Sequence, residues 1–400
     1  EHDEQMMKSA DMIIDIGPQA GRHGGEVVFR GNHSELIKAN KSLTAKYLTG
    51  EYKIEVPKVR RKPKDFIIIE QAYLHNLQNI TVKIPLNQIC VVTGVSGSGK
   101  STLIGKILHT FLERYFLTGL VKASHCNDIK INFDLISGVE YINQNPIGKS
   151  SRSNPITYTK GYDDIRQLFA SEKHAKAKGF KPGYFSFNVD GGRCEKCQGE
   201  GQLTISMQFM ADVHLKCDEC EGKRFKEEVL EVKFKGRNIS QVLEMTVEES
   251  LDFFNEDNAL CKKIKAKIFA LSEVGLEYVQ LGQASNTLSG GEAQRIKLAS
   301  FLSHNKSKQK KLFIFDEPTT GLHFHDVKKL IKTLQDLVEM GHHVVIIEHH
   351  MDIIKSADWI IDLGPEGGDK GGNLVFEGSP ESFIKSKVLS HTKDHLKEYI

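Results

Sequence analysis

The stretch Gly94-Val95-Ser96-Gly97-Ser98-Gly99-Lys100-Ser101-Thr102 restricts what this 400-residue chain can fold into more than any other feature. It follows the apolar run Ile89-Cys90-Val91-Val92-Thr93 and leads into the apolar-periodic Thr102-Leu103-Ile104-Gly105-Lys106-Ile107-Leu108. A buried strand, a glycine-rich loop and a helix in that order make backbone N–H groups converge at a helix N-terminus, where the dipole favours an anion. The spacing GxxxxGK[ST] lets Lys100 reach the β- and γ-phosphates of a nucleotide, with Ser101 able to ligate Mg²⁺. Such a chain should be α/β, with a mostly parallel sheet.

The partners of that loop lie downstream. Leu312-Phe313-Ile314-Phe315-Asp316-Glu317-Pro318 reads as an apolar strand ending in two carboxylates. At the strand's C-terminal end Asp316 can hold a Mg²⁺ shell and Glu317 can polarise an attacking water. Leu288-Ser289-Gly290-Gly291-Glu292 precedes the helical AQRIKLASFL and offers a second anion-binding helix start.

The chain also repeats itself. EHDEQMMKSADMIIDIGPQAGRHGGEVVFRG from Glu1 returns as EHHMDIIKSADWIIDLGPEGGDKGGNLVFEG from Glu348, at an offset of 347, with 19 identities over residues 1–39. The second copy follows a complete cassette, whereas the first copy, which opens on Glu1 and not Met, has nothing ahead of it. The expectation is a parent with two tandem cassettes, of which this chain holds the tail of the first and all of the second. Residues 51–65, polar, basic and proline-bearing, read as a solvated linker.

Lys100 and Leu288 lie 188 positions apart, which leaves room for a further module between them. It contains Cys194-x-x-Cys197, nineteen residues, then Cys217-x-x-Cys220. Two such pairs can give four thiolates to one tetrahedral Zn²⁺, closed and therefore structural. The alternating QLTISMQFMADVHLK between them predicts a β-hairpin with the metal at its base. Cys90, Cys126 and Cys261 are isolated and read as buried thiols.

The same insertion carries Lys149, Arg152, Lys160, Arg166, Lys173, Lys176, Lys178 and Lys181 among Tyr158, Tyr162, Phe180, Tyr184 and Phe185. This is either a DNA surface of phosphate-neutralising cations and stacking aromatics, or a solvated helix face over core aromatics. KSKQKK at 306–311 reads as an exposed loop. The formal net charge of +2 decides nothing, since a nucleic-acid-binding chain need be basic only locally. No run of eighteen apolar residues and no secretory pattern occur, which argues against a membrane span and a signal peptide.

LSGGE together with a phosphate loop and DEP resembles the ABC ATPase superfamily. That resemblance places Gln144 in a glutamine loop and makes His349 the switch histidine at the γ-phosphate. NQNPIG, RSNPITYT, FSFNVDGGRCEKCQGEG, CDECEGKR, LGQASNTLSGGEAQRIKLA, DEPTTGLH and SADWIIDLGPEGG then make the whole chain similar to the C-terminal half of the UvrA family of excinuclease components.

The resemblance implies an ABC-type cassette with a helical signature subdomain around 240–300, an antiparallel edge from residues 66–92 and an inserted zinc hairpin. The implied organisation is a first-cassette tail at 1–50, a linker at 51–65, core at 66–148, the insertion with signature subdomain at 149–300, and core again at 301–400. The cofactors implied are ATP, Mg²⁺ (Ser101, Asp316, Gln144) and structural Zn²⁺. Gly94, Ser96, Gly97, Gly99, Lys100, Ser101, Thr102 and Asp316 would bind the nucleotide. Ser289, Gly290, Gly291 and Glu292 would face the site of a partner cassette, and His2 would be the first cassette's switch histidine.

The implied function is ATP-dependent recognition of distorted double-stranded DNA in nucleotide excision repair. The implied partners are a second cassette within the parent, a homodimer and the helicase-like repair protein UvrB, in a cytoplasmic, nucleoid-associated setting. Activity of the isolated chain should be weak. Departures from the family's usual strings are mild, Asn143-Gln144-Asn145 for DQS and EHH for EHN. Other readings are a transporter cassette, a zinc-stapled DNA-binding module with ATP as a structural clamp, and a paralogue in drug or toxin resistance.

Overall fold

The computed structural model describes residues 4–18, 21–119, 122–148, 150–207, 213–304 and 309–400. His2, Lys149 and residues 306–308 of the basic run, singled out above, lie outside them. The chain forms two compact units, one of Glu1–Gln19, Gly24–Gln144 and Lys306–Ile400, the other of Ala20–His23 and Asn145–Asn305.

The first unit is built on a six-stranded sheet ordered Asn373–Gly378, Trp359–Gly364, Ile89–Thr93, His343–Ile347, Leu312–Asp316, Val139–Ile142. All pairs are parallel except the first, which is antiparallel. Ile89–Thr93 and His343–Ile347 are buried at every position, as befits central parallel strands covered on both faces. Asp316 and Glu348 stand at the C-terminal ends of adjacent strands, where open α/β sheets bind ligands.

The antiparallel edge expected from residues 66–92 takes a different form. Phe66–Ala72 pairs with Ile80–Pro85 and Asp128–Lys130 in a separate three-stranded sheet, and the main sheet's antiparallel edge is Asn373–Gly378. The physical reason is patterning. Ile80–Pro85 alternates buried and exposed and so buries one face only, while Ile89–Thr93 is apolar on both. Asn87, with φ 56°, turns the chain from one sheet to the other.

The sequence repeat is also a repeat of structure. Ile13–Gly17 pairs with Glu26–Gly31 in the register that Ile360–Gly364 makes with Asn373–Gly378, and the irregularity at Asp15/Ile16 recurs at Asp362/Leu363. Asn32 and Ser379 each cap the next short helix. Ser42 and Ser390 cap the one after, now at an offset of 348. The surroundings differ. Trp359–Gly364 pairs on its other side with Ile89–Thr93, and its Ile361 and Leu363 are 0% and 1% exposed. Their counterparts Ile14 and Ile16 are 55% and 66% exposed.

Residues 51–65 form no regular element but are not a purely solvated connector. Arg60 pairs with Glu381 at 2.9 Å and donates to the Ala357 carbonyl at 2.8 Å, and Arg61 pairs with Asp358 at 3.2 Å. These two cations are committed to carboxylates of their own unit.

In the second unit, Ala259–Glu273 packs against Gly161–Ser171 and Gly290–His304, with its Ile264, Ile268 and Leu271 buried. Ile239–Leu243 and Val247–Phe253 complete the helical part. Gln202–Ile205 and Val213–Lys216 form an antiparallel hairpin. Among the described residues no helix is long and apolar enough to cross a membrane.

Candidate nucleotide and metal sites

Gly94 (φ 131°) and Gly99 (φ 106°) adopt backbone that only glycine takes without strain, and a Cβ on Gly94 would lie 2.0 Å from the Leu363 carbonyl oxygen. The loop opens into a wide π-type turn over Thr102–His109, which Thr110–Thr118 continues as an α-helix. Lys100 Nζ donates to the carbonyls of Gly94 (2.8 Å) and Val95 (2.9 Å). Burial lowers its pKa, against the opposing pull of Glu317, Asp362, Asp316 and Glu348. A buried ammonium held by two carbonyls and flanked by carboxylates fits a site for a polyanion with its metal.

Around it stand the expected residues of the same unit. Tyr141 Oη donates to Asp316 Oδ2 at 2.7 Å, and Gln144 Nε2 donates to the Glu317 carbonyl at 3.3 Å. Glu317 takes φ 47° and donates its N–H to Ile347 O at 2.9 Å, so the Asp-Glu step is turned sharply at the strand end. His349 is exposed at the end of the neighbouring strand. Ser101 is also exposed, beside the loop.

Several residues that sequence reasoning passed over hold these loops. Glu348, with no exposed surface, accepts from Thr319 N (3.0 Å), the Thr319 hydroxyl, His349 N (2.6 Å) and His350 N (2.9 Å). It joins the loop after Asp316-Glu317 to the loop that carries His349. Asn76 Nδ2 donates to Gly97 O (2.9 Å) and Gly368 O (3.1 Å), while Gly368 N and Gly372 N donate to Gly97 O and Ser98 O, each at 3.1 Å. A second glycine-rich loop, Gly364 to Gly372, therefore lies against the phosphate loop. Because peptide units are planar, pinning the Gly97 and Ser98 carbonyls turns the N–H groups of Ser98 and Gly99 the other way. The repeated GPxxGxxGG was the visible signal for this loop; its partner was not visible.

Ser289 to Glu292 belongs to the second unit and forms a capping box: Glu292 N donates to Ser289 Oγ (3.2 Å) and Ser289 N to Glu292 Oε2 (2.8 Å). Gly290 and Gly291 are the first two residues of the helix Gly290–His304. Tyr278 Oη donates to Glu292 Oε1 at 2.7 Å.

The Sγ atoms of Cys194, Cys197, Cys217 and Cys220 all lie within 4.8 Å of one another, buried, and together could hold a metal ion. The Cys194–Cys217 and Cys197–Cys220 sulfurs are 3.9 Å and 3.6 Å apart. Tetrahedral zinc with bonds of about 2.3 Å requires about 3.8 Å. Gly201 N donates to Cys197 Sγ at 3.3 Å, a contact that suits a thiolate. Burial raises the Cys220 thiol to about 12, so a cation must displace its proton. The hairpin rises from this cluster, and its tip, residues 208–212, lies outside the described residues.

The suggested DNA surface divides. Tyr162, Phe180 and Phe185 are buried, and the Tyr162 hydroxyl donates to Phe185 O at 2.6 Å, so these rings are core and cannot stack on bases. Arg152, Arg166 and Lys178 pair with Glu200, Asp163 and Glu231. Lys160, Lys173, Lys176 and Lys181 are exposed. Cys90, Cys126 and Cys261 are buried.

No family model matches the chain. It is 51% identical over 407 residues to the UvrABC system protein A of Clostridium perfringens, and 51% identical over 401 residues to that of Aquifex aeolicus. Each comparison takes in 100% of this chain and 42% of the relative. Among solved structures it is similar to UvrA2 from Deinococcus radiodurans, with TM-score 0.91 and 39% identity over 100% of this chain and 48% of that one. The chain thus spans less than half the length of these relatives.

Proposed function

Because the chain belongs to the UvrA (UvrABC system protein A) family and has its ABC ATPase cassette fold, we propose that it works as the second ATP-hydrolysing half of a DNA-damage recognition protein in nucleotide excision repair. The observation that carries this reading is the gathering, in one unit, of Lys100 in its glycine loop with Asp316 and Glu317 beside Gln144. ATP is the substrate, and Lys100 with the loop N–H groups of residues 94–102 binds its phosphates. Ser101, Asp316 and Gln144 hold Mg²⁺, which neutralises charge on the phosphate oxygens. Glu317 orients and deprotonates the attacking water, and His349 contacts the γ-phosphate.

Ser289 to Glu292 serves the phosphate loop of a second cassette, head to tail, and the exposed first hairpin belongs to that cassette. The four cysteines hold a structural Zn²⁺. Closing and reopening of cassette interfaces changes the grip on distorted double-stranded DNA, read by shape and deformability. It also governs homodimer assembly and hand-over to UvrB. The setting is the cytoplasm, near the nucleoid.

The test is DNA-stimulated ATP hydrolysis by this chain and by Glu317→Gln over at least a tenfold range of protein concentration. Activity rising steeply with concentration, and lost in the variant while ATP binding persists, is the expected result. ATP binding without hydrolysis, in the two-cassette parent as well, would overturn the catalytic reading in favour of ATP as a structural clamp.

A further inference from the structure

Asp15 and Asp362 hold equivalent places in the two copies of the repeat, and each has a serine and a threonine at its carboxylate. In the first copy Ser42 Oγ donates to Asp15 Oδ2 at 2.6 Å and Thr44 Oγ1 to Asp15 Oδ1 at 3.2 Å. In the second copy the pair is Ser390 and Thr392. The two trios meet different parts of the same compact unit. Thr392 Oγ1 lies 3.4 Å from Thr93 Oγ1, immediately ahead of Gly94 and the phosphate loop. Thr44 Oγ1 lies 3.2 Å from His323 Nε2, at the end of the loop that begins at Glu317.

A threonine hydroxyl has one proton. With that proton given to Asp15, the Thr44 oxygen accepts from His323, so Nε2 carries the ring proton and Nδ1 is left to accept. His323 Nδ1 does accept, from His325 N at 3.3 Å, as the N-cap of Phe324–Glu339. Tyr47, on the same face of the helix Leu43–Leu48 as Thr44, stacks on Phe324 (centroids 5.6 Å, 22°) and stands edge-on to His323 (5.9 Å, 88°). Between Glu317 and His323 the chain has little slack. Glu317 N is fixed to Ile347 O and Thr319 N to Glu348. Thr320 N donates to Glu317 O at 3.3 Å and Leu322 N to Thr319 O at 2.9 Å, with Leu322 buried.

We propose that Asp15, Ser42, Thr44 and His323 form a positioning relay for Glu317: the first copy of the repeat holds the far end of the loop Glu317 to His323, as the second copy holds the root of the phosphate loop. This rests on the reading of Glu317 given above. All four are positioning residues and act through the loop. The first copy is then a working part of this chain's own nucleotide site, and the Asp-Ser-Thr trio is one device used on both sides of it.

The test approaches the contact from both sides. Thr44→Val keeps the shape of the side chain and removes both hydrogen bonds, whereas Thr44→Ser keeps them. His323→Phe removes the ring's donor and acceptor, whereas His323→Gln keeps a donor for Thr44. Two readouts are taken: amide hydrogen exchange across residues 317–323 in this chain, and ATP hydrolysis in the two-cassette parent, counted as the part that Glu317→Gln removes. Thr44→Val and His323→Phe are expected to speed exchange at residues 319–323 about tenfold and to lower the Glu317-dependent kcat about five- to tenfold, with KM within about twofold. Thr44→Ser and His323→Gln are expected to stay within about twofold of the unchanged protein in both readouts. Melting curves of each variant check that the fold survives, and the two losses disturb different segments, so unfolding of one does not reproduce the other. Exchange and kcat unmoved by Thr44→Val and His323→Phe overturn the relay, as do serine and glutamine variants no better than the valine and phenylalanine ones. A raised KM with kcat unchanged overturns it too. If Glu317→Gln is inactive while the Thr44 and His323 variants are silent, only the relay fails. If Glu317→Gln hydrolyses ATP like the unchanged parent, the catalytic reading of Glu317 falls and the relay with it.

Discussion

Glu348 is a carboxylate with no exposed surface, held by four donors from two loops. Replacing it with alanine strands the two Thr319 donors in a dry place, at about 1–3 kcal/mol for each group left without water, while the N–H groups of His349 and His350 lie nearer solvent. Glu348→Ala is therefore expected to lose about 2–5 kcal/mol in urea unfolding and to cut ATP hydrolysis more than ATP binding. A loss below about 1 kcal/mol would show that water or loop movement replaces the carboxylate. Asp362, at the end of Trp359–Gly364, is a second buried acid. Burial raises its pKa, while Ser390, Thr392, Lys100 and His391 pull it down. With the folded pKa above the unfolded value, the acid favours the fold at low pH and loses that contribution as pH rises through the raised pKa. Asp362→Asn should therefore gain in melting temperature on the parent residue as pH rises above the ordinary carboxylate range; a difference flat in pH would contradict the assigned direction. Neither acid was legible as a working part. Lys100, Asp316 and Glu317 announce themselves because phosphate and metal chemistry fixes both their types and their spacing. Glu348 and Asp362 answer only to donors brought in by the tertiary fold.

Elements show the same division. The order strand, loop, helix at residues 89–118 and the buried strand at 312–316 were legible from periodicity, and so was the hairpin between the cysteine pairs. Which strands share a sheet was not: Phe66–Ala72 chose Asp128–Lys130, a three-residue strand with no signal of its own. The first hairpin, Ile13–Gly17 with Glu26–Gly31, keeps its twin's register although Ile14 and Ile16 stand exposed, so its shape is set locally by alternation, turn and caps. The cysteine hairpin cannot rely on apolar burial, since Val213–Lys216 is exposed throughout. Its order must come from the cluster at its base. With structural zinc contributing on the order of 10 kcal/mol, stripping the metal should unfold this module. One zinc per chain is expected by metal analysis. After chelation or Cys197→Ser, proteolysis should begin between residues 200 and 220. A hairpin equally resistant with and without metal would remove zinc from its folding.

At the scale of the molecule, a net charge of +2 supplies almost no long-range pull on DNA, so the DNA binding proposed above would have to come from a local surface. Residues 149–181 hold eight basic residues against Asp163, Asp164 and Glu172, an excess of five. Structure divides that excess by availability. Arg152, Arg166 and Lys178 are drawn to carboxylates, whereas Lys173, Lys176 and Lys181 present exposed ammonium groups. Since the nearby rings of Tyr162, Phe180 and Phe185 are core, they cannot stack on bases, and contacts made by the exposed lysines are to backbone phosphate. That is the mode a reader of distorted DNA in any sequence context requires. Each phosphate neutralised releases counterions and adds about 0.9 to the slope of log affinity against log salt. Changing Lys173, Lys176 and Lys181 together to glutamine should therefore lower that slope by roughly 2 to 3. Affinity should fall alike for intact and distorted duplexes, because these contacts hold the backbone without inspecting it. If the slope stays the same, the DNA path avoids Lys173–Ala177 and its flanks. If the loss falls on distorted DNA alone, these lysines take part in reading the lesion.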